Sequence, residues 1–137
     1  MTPTSPSALA LAAFVGLLAG THASIWGMYK DAIHEGFGRA RFSRSMIVGA
    51  AVALAIQAAF TLPLPEPGAL VVLFGLAYAA ERGLVEVWKT FVREEDQAKY
   101  FIPMQFSLGG VPVRSRAVRL AAGAASVAAG IAGLLAL

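Results

Sequence analysis

Two stretches of this chain hold residue types that can do chemistry. The first is Lys30-Asp31-Ala-Ile-His34-Glu35. On a helix, Asp31 shares a face with His34 and Glu35, because neighbours three and four positions apart lie one above the other. Carboxylate oxygens and an imidazole nitrogen on one face suit a divalent metal or a proton transfer. The second stretch is Glu81-Arg82-Gly-Leu-Val-Glu86-Val-Trp88-Lys89-Thr-Phe-Val-Arg93. It mixes acids with cations, and Arg82 and Glu86 stand four apart, close enough to pair on one helix.

The residue types suggest a division of labour. Asp31, His34, Glu35, Glu81 and Glu86 are the candidate catalytic groups, as metal ligands or proton-transfer groups. Lys30, Arg82, Lys89 and Arg93 are the candidate holders of a phosphate. Trp26 and Tyr29 would contact an amphiphile at interfacial depth, where such rings also serve as plain membrane anchors. Asp31, Glu35 and Glu86, together with a substrate phosphate, would ligate Mg²⁺ or Mn²⁺. A di-metal carboxylate bundle fits less well. It needs a Glu-x-x-His pair on each of two helices, and a single Asp-x-x-His stands here.

These groups are embedded in a chain of membrane character. It is 58% hydrophobic and 14% charged, against roughly 45–50% and 25% in globular proteins. The mean hydropathy is +0.68. The expected fold is all-α: a polytopic membrane protein whose single domain, 1–137, is a bundle of four transmembrane helices. The spans are expected at about 7–29, 45–62, 68–90 and 120–137. No Lys or Arg precedes Lys30, which argues against reading the first span as a cleaved signal. Gly16, Gly20 and Ser24, and again Ala122, Ser126 and Gly130, recur every four residues, the pattern that lets membrane helices approach closely. Gly36 and Gly38 are expected to stop the first helix and Ser43 to cap the second. Pro63, Pro65 and Pro67 make a turn between spans two and three. Gly109-Gly110 permits a tight hairpin within 91–119, the alternative being an irregular segment on the membrane interface. The apolar run Tyr100–Phe106 is too short to span and is expected to pack on the interface or on a partner.

Charge sets the orientation. Of 11 Lys and Arg, four lie in 30–44 and seven in 82–119, which is all of them. By the positive-inside rule, 30–44 and 91–119 are cytoplasmic and both termini lie outside (N-out, C-out) in the cell (inner) membrane. The same rule accounts for the pI of 9.7 without nucleic acid as a partner. Spans one and three then run parallel. Registered at their inner ends, His22 and Glu81 both fall at ~12 Å of depth by helical rise. Ionisable groups inside the slab cost at least ~2.5–3.5 kcal/mol unless paired or wetted, so Glu81 and Arg82 are functional candidates by default.

Three functions are compatible with this ionic cluster on helices 1 and 3. The first is binding, and as an enzyme modifying, an anionic lipid or lipid-linked phosphate at the cytoplasmic face. The second is a non-catalytic structural or assembly subunit, in which the charges merely fix the bundle. The third is a small ion- or proton-coupled transporter. Membrane lipid is the expected partner, with a homo-oligomer or other membrane subunits around it. The absence of cysteine excludes disulfides, thiolate catalysis and cysteine-ligated metal centres. The serines fall in small-residue stripes or caps, so no Ser-His-Asp arrangement is supported.

Overall fold

The computed structural model describes residues 4–35, 38–94 and 105–136, with side chains described outside 30–35 and 134–135. The described residues contain four α-helices: α1 Pro6–Glu35, α2 Arg39–Phe60, α3 Pro67–Val87 and α4 Arg116–Leu135. A π-helical turn, Trp88–Val92, follows α3 directly, and a two-stranded hairpin, β1 Ser107–Leu108 and β2 Val111–Pro112, precedes α4. Three helical runs are long and apolar enough to cross a membrane: Pro6–Tyr29, Arg39–Phe60 and Pro67–Val92. The chain divides into two compact units, Met1–Leu84 and Val85–Leu137.

In the Met1–Leu84 unit, α1 and α2 pack antiparallel along the expected small-residue stripe. A side chain at Gly16 would strike the backbone of Gly49 and Ala50, and one at Gly20 would strike that of Ser45 and Met46. One turn on, Ser24 donates its hydroxyl to the Phe42 carbonyl at 2.6 Å. Absent side chains at these positions let the two backbones approach, and close approach is what binds helices where no hydrophobic effect operates between them. The core of this unit joins Ala12, Val15 and Ala19 of α1, Ala53 of α2, Leu64 of the proline turn, and Leu73 and Ala77 of α3.

The helix limits agree with expectation for α1 and depart from it for α2. α1 is described to Glu35, directly before the expected glycine stop, and its span-capable part ends at Tyr29. α2 starts at Arg39, several residues before the expected span, with extended Gly38 as its N-cap. Ser43 therefore lies inside the helix, where its hydroxyl donates back to Ala40 O at 3.4 Å. Three arginines in that first stretch are good helix formers, so polarity did not mark a loop. Thr61 ends α2 in the left-handed conformation, its N–H bonding Gln57 O. Pro67 opens α3 at the position where a missing N–H costs nothing.

In the Val85–Leu137 unit, Phe91 of the π-helical turn packs on Phe106 at 5.4 Å between ring centroids. Gly123 of α4 sits beneath Phe91, with an added Cβ only 2.9 Å from that ring. Backbone bonds tie the hairpin in: Phe106 N–H to Thr90 O at 3.2 Å and Val113 N–H to Phe106 O at 2.9 Å. The expected tight turn forms, with Gly109 at φ 56° and Gly110 at φ 82°, backbone angles glycine adopts without steric cost. The expected α4 stripe is not the packing edge: Gly130 has nothing within 4 Å, and Ser126 bonds back to Ala122 O at 2.9 Å.

Candidate functional site

Glu81 is the most constrained of the expected site residues. Leu73, Ala77 and Glu81 fall at i, i+4 and i+8 on α3 and are all at 0% exposure. The first two join the apolar core, so helical periodicity carries Glu81 inward with them. Neither carboxylate oxygen meets a hydrogen-bond partner among the described residues. A buried, unpaired carboxylate is one of the most costly arrangements a fold can hold, and such groups cluster where binding or proton transfer needs them.

His22 does not pair with it. The imidazole lies against α3 one turn earlier, with its ring 5.4 Å from Tyr78 and 6.4 Å from Phe74 in edge-on geometry. Trp26 donates its indole N–H to His22 Nε2 at 3.0 Å. An accepting Nε2 places the proton of a neutral ring on Nδ1. Equal depth from equal spacing assumed that α1 and α3 end level. Aromatic packing instead seats His22 between Phe74 and Tyr78. Trp26 in turn stands edge-on to Tyr29 at 6.1 Å, and both rings are exposed.

The remaining candidates are placed as follows. Lys30, Asp31, His34 and Glu35 lie on the last turns of α1, and their side chains lie outside the described residues. Arg82, Glu86, Lys89 and Arg93 each engage a neighbour; the guanidinium of Arg93 stands 5.9 Å over the Trp88 ring. Lys89 lies within the π-helical turn, closed by the bond from Arg93 N–H to Trp88 O at 2.8 Å. Single π turns inside α-helices recur at functional sites, because they re-aim side chains that a regular helix would stagger. Among the described residues no three His, Asp or Glu side chains stand together to hold a metal. Tyr100, Phe101, Ile102 and Met104 lie outside the described residues.

One cluster escaped the sequence reading. Glu94 Oε1 receives Arg119 at 3.2 Å and Arg116 Nε at 3.5 Å. The Arg119 side chain is 7% exposed and that of Arg116 67%. Ser115 caps α4, accepting from Val118 N–H at 3.5 Å. A contact across 25 residues leaves no periodic signal in the sequence.

No protein-family model, curated protein or solved structure matches this chain.

Proposed function

We propose that this chain is a small multi-pass membrane protein that binds an anionic lipid or lipid-linked phosphate at the face bearing its basic segments. One observation carries the reading. Residues 85–137 hold six Lys and Arg against four acids, and one of those acids, Glu94, is shared by two arginines. Surplus cationic charge beside span-capable helices attracts anionic headgroups. Lys89, within the π turn, and Arg93, which caps it beside Trp88, are the proposed phosphate contacts. Assistance by Mg²⁺ or Mn²⁺ through Asp31, Glu35 and Glu86 is an extension of the proposal, and the charge argument does not depend on it.

The test is thermal stabilisation of the detergent-solubilised protein by phosphatidylglycerol or phosphatidate against phosphatidylcholine, with and without Mg²⁺. Wild type should be stabilised by the anionic lipids. Lys89→Ala should weaken that binding about fivefold, the effect of one basic residue near an anionic surface. Glu86→Gln should remove only the metal-dependent part. A wild-type protein that gains nothing from anionic lipid in either condition would falsify the reading.

A second reading, uptake of a proton or small cation within the membrane, is favoured by buried Glu81, whose carboxylate meets no hydrogen-bond partner among the described residues. An ionisable group at such a position is where relays and ion sites are found. Wild type and Glu81→Gln in proteoliposomes, compared with a pH-sensitive or cation-sensitive dye, separate the readings. Equal flux in both excludes transport through Glu81.

A further inference from the structure

We propose that the hairpin Ser107–Pro112 is an anchor that enters the interface of anionic bilayers, with Leu108 and Val111 at the headgroup–acyl boundary and Arg114 and Arg116 on lipid phosphates. Leu108 and Val111 face each other across the two strands, and they are 60% and 68% exposed. Side chains alternate along a strand, so Phe106 and Val113, the next pair, share their face. That inner pair is half-buried, with Phe106 against Phe91. The apolar face thus continues beyond its own packing and ends in two large side chains in the open. Residues 105–113 contain no charge at all.

Charge begins immediately afterwards. Arg114 and Arg116 are exposed, and the described carboxylate that Arg116 meets, Glu94, is shared with buried Arg119. Two guanidinium groups on one carboxylate leave a net positive charge, and Arg114 adds another. An apolar tip backed by cations is complementary to an anionic bilayer, whose surface is negative and whose interior is apolar. A soluble protein partner fits less well, since two apolar side chains are far below the roughly 20–30 residues per side of a stable interface. The strand pairing and the bond from Phe106 N–H to Thr90 O already hold the hairpin, so insertion orders little that is not already ordered. The inference rests on the anionic-lipid reading above and extends it to a second contact remote in sequence from Lys89.

The chain has no cysteine, so Leu108→Cys can carry a single nitrobenzoxadiazole probe. The full chain is reconstituted into phosphatidylcholine vesicles with or without phosphatidylglycerol, and the probe is quenched by spin-labelled lipid or by aqueous iodide. In anionic vesicles the lipid quencher should reach the probe and iodide should not. Arg114→Gln with Arg116→Gln should shift the hairpin toward water by about fivefold for each arginine, in anionic vesicles only. A probe quenched by iodide and untouched by lipid quencher in both vesicles overturns the anchor. Insertion that is equal in both vesicles and indifferent to the two arginines overturns its anion selectivity. The outcomes separate from the site at Lys89: anionic stabilisation that persists with the hairpin in water defeats this inference alone. Anion-dependent insertion without that stabilisation leaves the inference standing and removes the site.

Discussion

Glu81 imposes a cost on the fold that no described neighbour offsets. Its position was legible in the sequence, because an acid eight residues beyond Leu73 on an apolar helix must share that residue's face. What it meets there was not legible, since partners depend on the register of α1 against α3, and packing of His22 on Tyr78 sets that register. The energetic consequence has a definite sign. Replacing an unsatisfied buried polar group by an apolar one of similar size removes a desolvation cost of about 1–3 kcal/mol. Glu81→Leu should therefore raise the thermal unfolding midpoint in detergent, and Glu81→Gln should raise it less, because the amide keeps two polar atoms in the same place. Stabilisation with loss of function would mark Glu81 as a group retained for work rather than for folding. A Glu81→Leu variant that fails to fold would show that the carboxylate has a structural partner.

Among the elements, α1 and α2 were the most legible, and the reason is specific. Gly16, Gly20 and Ser24 form a stripe that permits close helix packing, and Gly49 with Ser45 receives it. The equivalent stripe on α4 is equally regular, yet Ser126 and Gly130 are exposed, and Phe91 engages Gly123 on a neighbouring edge instead. Spacing thus names a surface able to pack without naming its partner. The contrast makes a paired prediction. Gly20→Leu must displace helix backbone, with its Cβ 2.7 Å from Met46 Cα, and should cost at least the ~1–3 kcal/mol of ordinary overpacking. Gly75→Ala, with nothing within 4 Å, should be neutral or stabilise α3 by up to about 1 kcal/mol through helix propensity. Thermal unfolding of the two variants in the same detergent checks both. Equal effects would mean that α1 and α2 do not pack through this glycine.

For the whole molecule, helix length and charge bear on different questions. Length and hydropathy make three helical runs long and apolar enough to cross a membrane, and their expected orientation rests on charge alone. α4 is the open term. Its 20 residues reach ~30 Å, enough to cross, yet Arg116 and Arg119 occupy its first turns, and Arg119 is held by Glu94. In the expected arrangement the arginines would lie at the interface, and the uncharged remainder of α4 would enter the bilayer. The expected arrangement places the proline turn outside, the hairpin inside, and the far end of α4 outside. Single cysteines in this cysteine-free chain test each point with a membrane-impermeant maleimide. Glu66→Cys should label in intact cells. Ser107→Cys should label only after permeabilisation, and Ala136→Cys should behave like Glu66→Cys. Labelling of Ala136→Cys only after permeabilisation would give three spans, with α4 lying along the inner surface beside the hairpin. Inverted labelling of Glu66→Cys and Ser107→Cys would mean that the basic segments face outward, against the positive-inside rule. The proposed lipid contact at Lys89 would then have to be sought on the opposite leaflet.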